Sequence, residues 1–191
     1  ALGMRVSSSM KLDNWESIDR SVEHLFLSNH RDIVLDAGLL NILRHEKGFE
    51  TTEIAIGDNL LIHPWIDKLV RLNKSFIVRR GLSIKERLIA SKHMSEYIHY
   101  AISEKKESVW IAQREGRAKN SDDRTQDSLL KMLALYPEDK SFIESLKELN
   151  LIPLSISYEY DPCDYLKAKE FQQKRDNPDF KKTQRDDLLN M

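Results

Sequence analysis

Five short apolar runs, each followed by a stretch with helical spacing, constrain this chain more than any other feature. The runs are His24–Ser28, Glu53–Ile56, Lys74–Val78, Ser108–Gln113 and Ile152–Tyr158. Their length and apolar content read as strands. Between them, Asp32–Arg44 places Ile33, Val34, Ala37, Leu40 and Leu43 at helical intervals. Pro64–Leu72 opens on a proline, which suits a first helical turn. Ile84–Lys105 repeats Leu88, Ile89, Met94, Ile98 and Ile102, and Gln126–Leu135 and Lys140–Leu149 complete the helices. Strands alternating with helices imply an α/β fold, a mixed central sheet flanked by helices. Residues 1–164 are expected to form one domain. Residues 165–191 form a polar, charged tail, read as a surface helix, a partly disordered segment or the start of a further segment.

The chain carries 30 basic and 31 acidic residues. That balance gives no basic excess for nucleic acid, and no nucleic-acid partner is expected. The one cysteine, Cys163, excludes an intrachain disulfide. It lies between Asp161 and Asp164, where acids oppose a reactive thiolate. No apolar run reaches the roughly 18–20 residues of a membrane span. Residues 1–14 lack the apolar core of a signal peptide. The ending at Leu188-Leu189-Asn190-Met191 reads as that of a piece cut from a longer protein.

Four segments carry chemistry or frame it. The first, Ser28-Asn-His-Arg-Asp-Ile-Val-Leu-Asp36, delivers a histidine and two acids from a strand end to a helix start. A general base needs an imidazole with one nitrogen free and the other held by an acceptor, and either Asp36 or Asp32 could supply that acceptor. The second runs from Gly57 to Arg79 and Arg80, whose planar donors suit a phosphate or carboxylate. The third, Glu115-Gly-Arg-Ala-Lys119, follows an apolar strand and reads as an anion clamp or a solvated loop. The fourth, Leu151-Ile-Pro-Leu-Ser-Ile-Ser-Tyr-Glu159, reads as core strand with its proline tolerated near the start.

Taken in order, these segments resemble the four-block pattern of the glycerolipid acyltransferases, the glycerol-3-phosphate and 1-acylglycerol-3-phosphate acyltransferases. Asn29-His30-Arg31 resembles block one. Gly57-Asp58-Asn59-Leu60 with Phe76–Arg80 resembles block two, Glu115-Gly116-Arg117 block three, and Ile152-Pro153-Leu154 with Tyr158-Glu159 block four. The resemblance covers about residues 24–160 and is that of a divergent bacterial-type member. Two departures stand out. The family pattern has four residues between His and Asp, whereas five separate His30 from Asp36. The block-three arginine normally stands three after the Glu, but Arg117 stands two after Glu115 and Ala118 holds the usual place.

The resemblance implies an O-acyltransferase of phospholipid biosynthesis. His30 would act as general base with Asp36 (or Asp32) orienting it. Arg79, Arg80, Glu115, Gly116, Arg117 and Lys119 would form the substrate-binding set. The acyl donor would be an acyl-CoA or acyl carrier protein, the acceptor glycerol-3-phosphate or a lysophospholipid. No cofactor or metal would be needed, because the thioester is already activated. Amphiphilic substrates imply a cytoplasmic protein peripherally associated with a membrane surface. The segment Trp65–Leu72 with Lys68, Arg71 and Lys74 reads as an interfacial helix or a core helix. A lipid- or phosphate-binding module with weakened chemistry is the other reading of the same pattern. A hydrolase is disfavoured by the lack of a Gly-x-Ser-x-Gly elbow.

Overall fold

The computed structural model describes residues 9–61, 63–120, 122–181 and 183. Strands β1 (Leu25–Ser28), β2 (Glu53–Gly57), β3 (Ser75–Val78), β4 (Val109–Ala112) and β5 (Ile152–Leu154) form one sheet in the order β3-β2-β4-β1-β5. Helices α1 (Leu35–Glu46), α2 (Pro64–Leu72), α3 (Ile84–Ser103), α4 (Asp127–Leu133) and α5 (Phe142–Glu148) lie between the strands, and α6 (Asp164–Asp176) follows β5. The α/β architecture with a helix-flanked central sheet is the one expected. All four strand pairings are parallel, however, so the described sheet is not mixed. The cause is the connections: each carries at least one helix, which returns the chain to the amino edge before the next strand.

Alternation along the two central strands builds two cores. Leu25, Leu27, Val109 and Ile111 face α3, α4 and α5, where Ile98, Ala101, Ile102, Leu133 and Leu149 close the layer. Phe26 and Trp110 face the other way, onto Ala37 and Leu40 of α1. Period-2 patterning of continuously apolar strands is what a sheet covered on both faces requires. The register aligns Ser28 with Ala112 on one side and Leu154 on the other. The residues that follow these three strands therefore emerge side by side at the carboxyl edge, where α/β sheets build sites.

Two boundaries shift for chemical reasons that bear on the site. Helix α1 starts at Leu35, later than Asp32, because the Asp32 carboxylate accepts from the Val34 and Leu35 N–H groups at 2.9 and 2.8 Å. A side-chain acceptor for those unsatisfied donors marks a helix start, and Asp32 stays outside it. Strand β5 stops at Leu154, well short of Tyr158. Beyond it, Ile156 bonds to a side chain of the neighbouring strand's tail, described below. The charged tail forms α6 over its first half; residues 182 and 184–191 lie outside the described residues. Among the described residues no helix is long and apolar enough to cross a membrane.

Candidate active site

β1 ends at Ser28, and the loop 29–34 carries the chain from the sheet edge into α1. His30 sits in that loop with its side chain 16% exposed, and Asp36 sits in the first turn of α1 with none. His30 Nδ1 and Asp36 Oδ2 are 3.0 Å apart. The same oxygen accepts from the backbone N–H of Arg31 (2.7 Å) and Asp32 (3.0 Å), so the loop winds around the carboxylate. Asp32 Oδ1 instead accepts from the Val34 and Leu35 N–H groups. The geometry therefore selects Asp36 as the partner of His30 from the two candidates. With Nδ1 held, Nε2 is the ring nitrogen left for an incoming group. The indole of Trp110 packs edge-on against the imidazole, with centroids 5.9 Å apart and planes at 70°.

The tail of β5 closes the other side. Asn29 Nδ2 donates to the Ile156 carbonyl at 2.8 Å, and the Ile156 N–H donates back to Asn29 Oδ1 at 2.7 Å. This two-point staple brings Tyr158 over the dyad, where its hydroxyl donates to Asp36 Oδ1 at 2.8 Å. Burial, with Asp36 as the next cause, pushes the Tyr158 hydroxyl far above the usual tyrosine range, so it is a proton donor throughout the working pH. The block-three loop is tied in by backbone: the Ala118 N–H donates to the His30 carbonyl at 2.9 Å. The His30 N–H donates to Asp123 Oδ2 at 3.3 Å.

The expected substrate-binding residues divide into two groups. Arg80 folds over Gly57, where a Cβ would stand 2.8 Å from its Nε. Its Nη1 lies 3.5 Å from Glu115 Oε1, and its N–H donates to Asp58 Oδ2 at 3.2 Å. Glycine at 57 thus allows the side chain of Arg80 to lie close against the backbone. Arg79 is exposed. Gly116 has φ +72°, the left-handed conformation that turns the loop after Glu115. The second group lies nearer His30. Arg117 is buried at 4% exposure, and Lys119 Nζ is 3.5 Å from Glu170 Oε1 on α6.

Sequence reasoning missed several members of this region. Arg31, beside His30, lies in a bidentate ion pair with Asp161, which also accepts from Lys167 Nζ at 2.9 Å. Lys167 is 2% exposed and Glu170 6%, so the polar helix α6 sets charged side chains inward beside the block-three loop. The helix's predominantly charged and polar composition hid this. Tyr158 was read as core; the signal that could have exposed it is a tyrosine just past a strand end, where its hydroxyl needs a partner. Among the described residues no group of three or more His, Cys, Asp or Glu side chains is placed to hold a metal.

Fold and site together define an α/β domain with a buried His–Asp pair at the carboxyl edge of a parallel sheet and arginines at its rim. A family model described as Acyltransferase matches residues 9–157. The chain belongs to that family and is a transferase of acyl groups. A comparison with curated proteins finds no match.

Proposed function

We propose that the protein is an O-acyltransferase of phospholipid biosynthesis. It moves a fatty acyl group from acyl-CoA or acyl carrier protein to a hydroxyl of glycerol-3-phosphate or a lysophospholipid. The observation that carries this reading is the 3.0 Å contact between His30 Nδ1 and the fully buried Asp36. His30 Nε2 takes the proton of the acceptor hydroxyl as its oxygen attacks the thioester carbonyl carbon. The imidazolium that forms is steadied by Asp36. The tetrahedral intermediate then collapses: the C–S bond breaks, and the leaving thiolate recovers the proton from His30. Backbone N–H groups near Gly116 stabilise the oxyanion. The thioester supplies its own activation, so the reading calls for no cofactor or metal.

Arg80 and Arg79 on one side, and Arg117 and Lys119 on the other, supply the positive charge for an acceptor phosphate. Glu115 holds Arg80 until that phosphate displaces it. The workplace is a membrane surface on the cytoplasmic side, reached through α2. That helix buries Ile66 and Val70 but leaves Trp65, Leu69 and Leu72 exposed along its outer face, beside Lys68 and Arg71. Exposed apolar side chains with basic neighbours suit an anionic lipid interface.

The test is thiol release from a panel of acyl donors with glycerol-3-phosphate or a lysophospholipid as acceptor. Wild type should turn over and His30→Ala should not. Equal rates for the two proteins across the panel would sink the reading. Phosphate or lipid binding that survives His30→Ala without any turnover would leave a binding module instead.

A further inference from the structure

The dyad has a third member. We propose that Tyr158 is a positioning residue that sets, through Asp36, how strongly the His30 imidazolium is held, and so the pH range in which His30 serves as a base. The proposal rests on the acyl-transfer reading only for the last clause; the hydrogen-bond chain from Tyr158 to His30 stands on geometry alone.

The Asp36 carboxylate is fully buried, so its charge is shared only among protein donors. Oδ2 serves His30 Nδ1 and the N–H groups of Arg31 and Asp32, while Oδ1 accepts from Tyr158. A hydrogen bond donated to a carboxylate draws negative charge toward the donor and leaves less for a cation on the other oxygen. Tyr158 is not placed there by chance contact. Its segment is fixed by the Asn29–Ile156 staple and by the Asn29 N–H, which donates to the Leu154 carbonyl at 3.3 Å. The residue before His30 in the chain therefore sets the position of the hydroxyl that tunes its partner. The other charged groups facing the dyad come from every element around it: Arg31 and Asp32 in the loop, Asp123 on the His30 N–H, and Asp161 paired with Arg31. A substitution at Tyr158 alters none of these side chains chemically, so a single hydroxyl is varied among the same charged groups.

Two substitutions of opposite sign test this. Tyr158→Phe removes the donor and keeps the ring. Replacing Tyr158 by 3-fluorotyrosine makes the hydroxyl more acidic and a stronger donor. The primary measurement is the midpoint of the His30 ring titration followed by NMR, which requires no turnover. Tyr158→Phe should raise that midpoint by about half a unit, and fluorotyrosine should lower it. The acid-side limb of the kcat/KM profile should move with it, so that at pH 6 Tyr158→Phe loses about threefold more activity than at pH 8. Tyr160→Phe, at an 82% exposed position, should leave both unmoved. A His30 midpoint that stays put, or that moves in one direction for both substitutions, overturns the proposal. Midpoints that move as expected in a protein that transfers no acyl group would keep the Tyr158 coupling and refute the function instead. Should Tyr158→Phe fail to fold, the fluorotyrosine protein, which keeps the hydroxyl, decides the matter.

Discussion

Replacing Asp36 with asparagine separates the charge of the dyad from its shape. At the 3.0 Å separation of His30 Nδ1 and Asp36 Oδ2, two full charges attract by roughly 5–6 kcal/mol at an effective dielectric of about 20. On the proposed mechanism the imidazolium is only partly formed in the transition state, and His30 keeps some contact with water. About 3–4 kcal/mol of that attraction is therefore lost in Asp36→Asn, which is a fall of about 10²–10³ in kcat. The fold should survive. The amide oxygen can keep the Arg31 and Asp32 N–H groups, and its NH2 can donate to the Tyr158 oxygen, reversing that hydrogen bond. The cost of the poorer arrangement is about 1–2 kcal/mol in unfolding free energy. The assay is thiol release at saturating donor and acceptor, with a thermal melt alongside. KM for both substrates should change little, because Asp36 acts on the developing cation and not on bound ground states. A kcat within about threefold of wild type, with an unchanged melt, would refute the claim that Asp36 acts through His30.

Other perturbations read other parts of the molecule. Gly57→Ala would place a Cβ 2.8 Å from Arg80 Nε and 2.5 Å from Asn59 Oδ1, both ends of movable side chains. Stability should hold while KM for a phosphorylated acceptor rises severalfold, seen in the same thiol assay. Asp32→Ala removes the acceptor of the Val34 and Leu35 N–H groups at the start of α1 and should cost about 1 kcal/mol in denaturant unfolding. Leu69→Glu with Leu72→Glu, both at exposed positions of α2, should abolish binding to vesicles containing phosphatidylglycerol in a flotation assay and leave turnover of soluble substrates intact. Burial lowers the pKa of His24 and of His99 in the folded state, so the unfolded chain binds protons first on acidification. Their contribution to stability is intact above the ordinary histidine value and declines as pH falls below about 6.5. The melting temperature should drop from pH 7 to pH 5.5, with a shallower drop in His99→Gln.

The elements that sequence patterning located well are those with a strong period or a chemical marker. α2 starts at Pro64 and ends at Leu72 as expected, and the other strands and helices before residue 150 lie within three residues of their expected bounds. β5 was overextended because Ile156 and Tyr158 continue the apolar alternation of a strand. They do so to reach Asn29 and Asp36, a tertiary use that period-2 spacing cannot distinguish from a ladder. His30 and Asp36 were legible as residue types at a strand-to-helix junction. Choosing between Asp36 and Asp32 was not, because each carboxylate is an acceptor and only the path of the loop decides which donor it meets. The role of α6 was illegible for a related reason. Lys167 and Glu170 are charged residues on a polar helix, and composition places such residues in solvent. Their burial depends on Asp161, Lys119 and Lys174 being brought beside them.

The one-residue lengthening between His30 and Asp36 shows what the dyad requires. Spacing matters only as a means of setting the carboxylate against the imidazole. Here the additional residue is absorbed before the helix starts: Asp32 caps Val34 and Leu35, and the N–H groups of Arg31 and Asp32 turn inward to Asp36. Asp36 then enters the first turn of α1, where the helix dipole favours a negative charge. The shorter Glu115–Arg117 spacing is accommodated by the same logic. The loop is pinned at Ala118, whose N–H holds the His30 carbonyl. With that residue fixed to His30, its neighbours on either side are both cations: Arg117 is buried and Lys119 reaches toward α6. The loop thus keeps a cation on either side of the residue bonded to the His30 carbonyl, although the arginine's place in the chain has moved. A variant that restores the family spacing by exchanging Arg117 and Ala118 would put a guanidinium where the structure holds a fully buried alanine, and should destabilise the loop instead of improving the site.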